Sequence, residues 1–300
     1  LDIPWVSPAS GSSRLADPPR RTVFALAPTY RDQAAALVKY AVEVMGRTRI
    51  AFFYQDDEFG REGLAGAREH LARYGLTPVI ELSTGPEFTA LKTRTLRLKE
   101  ARPEVVIMWL APTQAVILRR DAREFGLESF WMTGSALADA ELLDRLTDGL
   151  WEGTIFTNVF EAPDSSHPLL TEYRRAFNKL AARGERWGLF YYAGFGLAEP
   201  LVEALRRCGP DLTRAGLVAQ LEGLKDFKGI MGRITYGPDD RQGQEEMYIC
   251  QAVQHGGTRP LTGWFRYQDL PPVPARLKPR PPEPEPTGEG GDDGVKKEAA

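Results

Sequence analysis

The stretch Thr48–Gly75, TRIAFFYQDDEFGREGLAGAREHLARYG, shows most clearly the local pattern from which the fold class is predicted. It opens with an apolar run, continues through a polar loop beginning at Gln55, and ends in an amphipathic stretch closed by Gly75. A short apolar run predicts a strand, and an amphipathic stretch followed by glycine predicts a helix with its C-terminal cap. The stretch therefore predicts one strand–loop–helix unit.

The same unit recurs along the chain. Further strands are predicted for EVVIMWLA (104–111), SFWMTG (129–134) and WEGTIFTNVF (151–160), with helical stretches between them. Strands that alternate with helices indicate an α/β fold with a parallel sheet covered by helices. Ligands bind such sheets beyond the carboxyl ends of the strands, so the loops SPASGSS, YQDDEFGREG, APTQ and TGSALAD are the candidate site.

Composition limits the classes of partner. The 300 residues include 38 basic and 41 acidic side chains, a net charge of -3 that gives no general attraction for nucleic acid. The longest apolar run, Val105–Ala111, is far shorter than the roughly 20 residues that span a bilayer. Cys208 and Cys250 lack the close spacing of a metal or redox pair, so we expect two free thiols, with a disulfide as the less common alternative.

No catalytic motif stands out in the sequence. The histidines His70, His167 and His255 do not have metal-ligand spacing, and neither a nucleophile elbow nor a phosphate-binding glycine loop follows a strand. The acidic run Asp56–Glu58 is contiguous rather than spaced like metal ligands, which favours a solvated turn or a helix N-terminus. We therefore expect a protein that is not an enzyme and has no cofactor or metal.

The N-terminal segment Ile3–Ser13, IPWVSPASGSS, predicts a buried strand that runs into a loop of small residues. Such a loop presents backbone N–H groups without bulky side chains, and Ser7, Ser10, Ser12 and Ser13 add hydroxyl donors. These groups suit a carboxylate or another polar acceptor. An ordinary serine-rich turn that caps a helix is the alternative.

Several motifs occur together in an order typical of one family. They are IPWVSPASGSSRLAD, FALAPTYRDQAAALVKY, RIAFFYQDDEFGREGLAGAREHL, DAREFGL, LVEALRRCG and FKGIMGRITYGPDDRQG. In this order they resemble the periplasmic branched-chain amino acid (Leu/Ile/Val) binding proteins, the type I solute-binding proteins of ABC transporters. The resemblance covers Ile3 to about Tyr267 and implies two lobes, each a doubly wound parallel sheet, with a solute clamped between them.

The resemblance also implies the extent of each lobe. Residues 1–29 and 159–243 would form the first lobe, which lacks the strands and helices that precede this segment in the family. Residues 30–158 and 244–270 would form the second lobe. The remaining segment, 271–300, is rich in Pro, Glu and Gly, a composition that indicates a disordered tail.

Carried over residue by residue, the resemblance predicts a ligand site. Ala9, Ser10 and Gly11 match the positions that hold the ligand's α-carboxylate, with Ser7 in the same loop. Phe59 matches an aromatic residue that covers the ligand, although a core position beneath the following helix is an equal alternative. Aromatic cover excludes water from a site.

Two further strand ends complete the predicted site. Ala111 and Pro112 are small and leave room for a ligand side group, whereas Trp109 before them is expected in the core. Ser135 stands where the family commonly has an acid that pairs with the ligand's ammonium group. An unpaired buried ammonium is costly, so an amino acid ligand requires Asp139 or another carboxylate to reach the site.

These patterns predict an extracytoplasmic solute-binding protein, free or lipid-anchored, that delivers amino acids or related small carboxylates or amides to an ABC transporter permease. A ligand-sensing regulatory module of the same fold is one alternative. A truncated remnant that no longer binds ligand is another.

Overall fold

The computed structural model describes residues 3–85, 91–272 and 274, and a mostly parallel sheet forms its centre. The strands in chain order are β1 (Trp5–Val6), β2 (Val23–Phe24), β3 (Ile50–Gln55), β4 (Ile80–Thr84), β5 (Val105–Trp109), β6 (Phe130–Thr133), β7 (Ile155–Asn158), β8 (Phe227–Gly229), β9 (Gly232–Ile234), β10 (Glu246–Ala252), β11 (Thr258–Pro260) and β12 (Phe265–Arg266). The helices are α1 (Tyr30–Lys39), α2 (Glu58–Ala72), α3 (Leu91–Glu100), α4 (Pro112–Glu124), α5 (Ala140–Leu146), α6 (Pro168–Leu180), α7 (Leu189–Cys208) and α8 (Arg214–Glu222). A π-helical turn, Tyr40–Val44, continues α1.

The central sheet has the order β11-β10-β7-β6-β5-β3-β4, and β12 also pairs with β10. Strands β3 to β7 run parallel, while β10 joins β7 antiparallel, with Tyr248 opposite Asn158. A helix connects each of these parallel strands to the next one in the chain, because parallel neighbours need a long crossover connection. The prediction of an α/β fold with a parallel sheet is confirmed.

Alternating side chains of the central strands enter two separate cores. Phe52 and Ile107 pack with the residues of α1 and α2, whereas Phe53 and Met108 pack with those of α3, α4 and α5. Successive side chains of a strand point to opposite faces of the sheet, so both faces are apolar and both are covered by helices. Trp109 is 1% exposed, which confirms its predicted core position.

A smaller group of elements lies beside the sheet and holds the N-terminal segment. Strands β1 and β2 form a parallel pair, and Ala25 is bridged to Gln242, which follows the β8–β9 hairpin. Helices α6, α7 and α8 lie between β7 and this hairpin in the chain. The prediction of a buried first strand is wrong. Strand β1 has two residues and Trp5 is 54% exposed, because β2 is its only paired neighbour among the described residues.

The cysteines and the acidic run Asp56–Glu58 agree with the predictions made from the sequence. Both cysteines are free, and burial raises the pKa of the Cys250 thiol to about 12. Asp57 is the N-cap of α2, where its carboxylate accepts the Gly60 N–H at 3.0 Å, so the acidic run does begin a helix.

The predicted tail lies outside the described residues except for 271, 272 and 274. Of the helices in the described segments, not one combines the length and apolarity needed to cross a membrane.

Helix α7 contains a buried acid next to a proline. Glu199 is 4% exposed and precedes Pro200 inside the helix. Its carboxyl group accepts the Tyr173 hydroxyl at 2.9 Å and the Ile230 N–H at 2.9 Å. Burial nevertheless raises the pKa of Glu199 to about 7, because these two donors only partly replace water around the charge.

This raised pKa predicts a stability that depends on pH. The folded state keeps a proton on Glu199 that the unfolded state releases near pH 4.5, so the stabilisation is complete below that pH and is lost as pH rises through about 7. Relative to Glu199→Gln, wild-type free energy of unfolding should fall by about 3 kcal/mol across this window. Urea denaturation at half-unit pH steps measures this difference.

Tyr173→Phe is the matched control, because it removes a donor that lowers the Glu199 pKa. It should move the inflection to higher pH without abolishing it. A wild-type curve parallel to that of Glu199→Gln between pH 4.5 and 7 would contradict the assignment.

Candidate functional site

A cavity of about 160 Å³ opens where the strands β1, β2, β6 and β7 end. Its lining residues are Ala9, Ser10, Gly11, Ala27, Tyr30, Gln33, Ser135, Ala136, Val159, Phe160, Leu189, Phe190, Ala193, Leu197 and Met231. Drug-sized ligands occupy cavities of about 300–1,000 Å³. The volume here therefore suits a small molecule.

The first polar wall is the loop after β1. The Tyr30 hydroxyl donates to Ser10 Oγ at 3.4 Å, and the Tyr30 N–H donates to the Gly11 carbonyl at 2.8 Å. A Cβ on Gly11 would lie 2.6 Å from the Pro28 carbonyl oxygen, so only glycine permits this approach of loop and helix. The loop thus brings small residues and a hydroxyl to the start of α1.

Helix α2 holds the same loop from its other side. The Glu62 carboxylate, which is mostly buried, accepts the Ser13 N–H at 3.1 Å and the Ser13 hydroxyl at 2.7 Å. Ser12 Oγ lies 3.2 Å from a carboxylate oxygen of Glu58 and of Glu62, and its single proton is shared between them. Charge-assisted hydrogen bonds of this kind fix a loop more strongly than neutral ones.

The second polar wall follows β6. Ser135 begins a short 3-10 turn, and its N–H donates to Gln33 Oε1 at 3.0 Å. The Thr157 hydroxyl donates to the same oxygen at 3.0 Å. The Ser135 N–H is therefore already paired, which leaves the hydroxyl as the donor that Ser135 can offer to the cavity.

The remaining wall is apolar and comes largely from α7. Leu189, Phe190, Ala193 and Leu197 lie on one face of this helix, and Met231 from the β8–β9 turn adds to them. Their spacing of one, three and four residues places them on adjacent turns. A ligand in the cavity would meet polar groups at two strand ends and hydrocarbon on the helix side.

No charged side chain occurs among the described residues that line the cavity. The nearby acid Asp139 is 5% exposed, and its two oxygens accept N–H groups at two helix starts, Leu142 at 3.1 Å and Phe190 at 3.2 Å. These bonds place the carboxylate at the N-termini of α5 and α7, where helix dipoles favour a negative charge. Asp139 thus has partners other than a ligand.

Four predicted site residues do not line this cavity. Ser7 is buried, with a positive φ of 50°, and Phe59 packs edge-on against Tyr30 at 4.8 Å, at a neighbouring cavity that also contains Ser10. Ala111 caps α4 and Pro112 is its first residue. The cavity does bring together Ala9, Ser10, Gly11 and Ser135. Ligand contact by any of the eight residues stays a prediction.

Sequence reasoning missed Tyr30, Gln33 and the face of α7. Gln33 did leave a signal in the sequence, since it is a polar residue directly before the apolar run Ala34–Val38. In the structure its exposed fraction is 0%. The α7 face left none, because an apolar helical stripe is equally typical of a core.

A larger cavity of about 480 Å³ does not have the features of a ligand crevice at the strand ends. Its lining includes charged groups of both signs, such as Arg31, Glu69 and Asp240, and none of its lining residues follows β6 or β7. We assign the site to the smaller cavity because ligands of open parallel sheets bind beyond the strand ends.

Known proteins share this architecture. A substrate-binding periplasmic protein from Ralstonia solanacearum has a TM-score of 0.78 at 23% identity, over 86% of this chain and 72% of that one. A possible leucine/isoleucine/valine-binding protein from Rhodopirellula baltica SH 1 has a TM-score of 0.78 at 23% identity, over 90% and 72%. A branched chain amino acid ABC transporter from Thermus thermophilus with bound valine has a TM-score of 0.78 at 21% identity, over 89% and 73%.

No curated protein sequence matches the chain. The family model described as periplasmic binding protein matches residues 2–258, and this match together with the similar structures confirms the resemblance predicted from the ordered motifs. The chain belongs to the periplasmic binding protein family.

Proposed function

We propose that this protein is the solute receptor of an ABC importer, acts outside the cytoplasm and passes its ligand to a transporter permease. The ligand would be a small carboxylate with an apolar side group and no ammonium group. In this proposal residues 1–29 and 159–243 form one lobe, residues 30–158 and 244–270 form the other, and the protein is a binding protein rather than an enzyme.

The observation that carries the proposal is the chemistry of the cavity wall. Ser10 and Gly11 supply the small, hydroxylated loop that suits a carboxylate, and Ser135 supplies a neutral hydroxyl on the facing strand end. Asp139, the acid that the sequence offers as an ammonium partner, already accepts two N–H groups. A desolvated ammonium without a partner costs several kcal/mol, which favours a 2-hydroxy acid or similar compound over an amino acid.

The apolar side of the cavity indicates the rest of the ligand. Leu189, Leu197 and Met231 would surround a short hydrocarbon group, and a cavity of about 160 Å³ favours a short branched chain over a large group. The Thermus thermophilus structure holds valine, a molecule of similar size. The proposed difference from such a ligand lies at its amino group.

Hydrogen exchange with 2-hydroxy-4-methylpentanoate as the probe tests whether the ligand lies in this cavity. Saturating probe should slow amide exchange in residues 9–12, 134–137 and 189–193, because a bound ligand excludes water and suppresses local opening. Ala193→Phe, which fills the cavity from α7, should abolish this protection, whereas Ala182→Phe at an exposed position should retain it.

Protection confined to other regions would contradict the assignment of the cavity. No protection at any probe concentration would instead favour the regulatory module with a different ligand, or the remnant that does not bind.

A further inference from the structure

We infer that Gln33 is a positioning residue that sets the orientation of the Ser135 wall in the cavity and ties it to the chain segment at Pro28. The inference rests on the proposed function, in which Ser135 faces the ligand. Gln33 would act through its neighbours and would not need to contact the ligand itself.

The side chain of Gln33 joins three separate segments. Its Nε2 donates to the Pro28 carbonyl at 2.9 Å, while its Oε1 accepts the Ser135 N–H and the Thr157 hydroxyl, each at 3.0 Å. The residue is 0% exposed, so no water competes for these bonds. Hydrogen bonds shielded from water are costly to lose, because each abandoned partner stays desolvated.

The three partners also fix which way the amide points. A backbone N–H can only donate and a carbonyl oxygen can only accept, so Oε1 must face Ser135 and Nε2 must face Pro28. Thr157 then gives its hydroxyl proton to Oε1. Neither an aliphatic side chain nor an ionised carboxylate can satisfy all three groups.

The first turn of α1 consequently contacts both polar walls. Tyr30 binds the Ser10–Gly11 loop through its hydroxyl and its N–H, and Gln33, three residues later, binds Ser135. Residues three apart on a helix lie on the same face. The spacing between the two walls is therefore set by a single rigid turn, which begins beside Pro28, and a ligand that contacts both walls depends on it.

Gln33→Glu gives a test in which protonation reverses the defect. A protonated carboxyl group can accept from Ser135 and Thr157 and donate to Pro28, as the amide does, but an ionised one repels the Pro28 carbonyl and a ligand carboxylate. The affinity of the variant for 2-hydroxy-4-methylpentanoate should match wild type near pH 5. It should fall by about tenfold to a hundredfold by pH 8 relative to wild type measured alongside.

The pH profile separates positioning from simple damage to the fold. A variant with wild-type affinity at every pH, or one whose loss does not recover at low pH, would overturn the inference. Failure of the wild type to bind the probe would count against the proposed ligand class, and the second measurement then judges Gln33 without any ligand.

That second measurement is amide exchange at Ser135 in the ligand-free protein, resolved by NMR. Gln33→Met removes the acceptor at nearly constant volume and should speed exchange of the Ser135 N–H by about tenfold or more. Thr157→Val is the matched control, because it removes a different bond to the same oxygen and should leave Ser135 exchange near the wild-type rate. Unchanged Ser135 exchange in folded Gln33→Met would overturn the inference.

Discussion

Replacement of Arg241 by methionine is expected to lower the free energy of unfolding by about 3–5 kcal/mol, the usual cost of removing one partner from a buried ion pair. The Arg241 side chain is 1% exposed, pairs with Glu222 at 2.6 Å and lies 4.4 Å from the centre of the Phe24 ring. It also donates to the carbonyl oxygens of Arg20, Arg21 and Gly237. Urea denaturation measures the loss directly.

Arg233→Met is the matched control on the exposed face of the β8–β9 hairpin. The Arg233 side chain is 60% exposed and pairs with Glu246 at 2.6 Å. Exposed pairs contribute at most about 1 kcal/mol, so this variant should stay near wild type. Similar losses in both variants would contradict a special role for Arg241 in holding the segments after β1 and β9 together.

The sequence predicted the central sheet well because its signal is local and repeated. In β3 and β5 successive side chains enter opposite cores, so the apolar runs are continuous, and each following helix carries its own apolar stripe. The exposure of β1 could not be predicted in the same way. The segment Ile3–Val6 has the composition of a buried strand, but burial depends on how many neighbours pair with it.

The cavity was predictable only in part. Ser10 and Gly11 lie in the loop after β1 and Ser135 lies in the loop after β6, and the parallel topology brings such loops to one edge of a sheet. Tyr30 and Gln33 act through contacts across the fold, with Gln33 and Thr157 separated by 124 positions. Nothing local in a sequence encodes such a pairing.

The substitution Ser135→Glu is expected to invert the ligand preference. The introduced carboxylate would face the cavity from the strand end and pair with the ammonium of leucine, while 2-hydroxy-4-methylpentanoate would gain only a hydroxyl contact. The ratio of the two affinities should shift towards leucine by about a hundredfold or more. Competitive titration calorimetry with both ligands measures this ratio.

Ser166→Glu is the control for added charge, because Ser166 is exposed and does not line the cavity. Its affinity ratio should equal that of wild type. If Ser135→Glu also left the ratio unchanged while the protein stayed folded, Ser135 would not face the ligand.

We propose that the cavity receives a carboxylate and has no group for an ammonium. Calorimetric titration of the wild-type protein with leucine and with 2-hydroxy-4-methylpentanoate at neutral pH tests this proposal most directly, because the two ligands differ only at that group. We expect the hydroxy acid to bind more tightly by about a hundredfold or more. Equal or tighter binding of leucine would contradict it and would show that a carboxylate, such as Asp139 with its two N–H partners, also reaches the ligand's ammonium group.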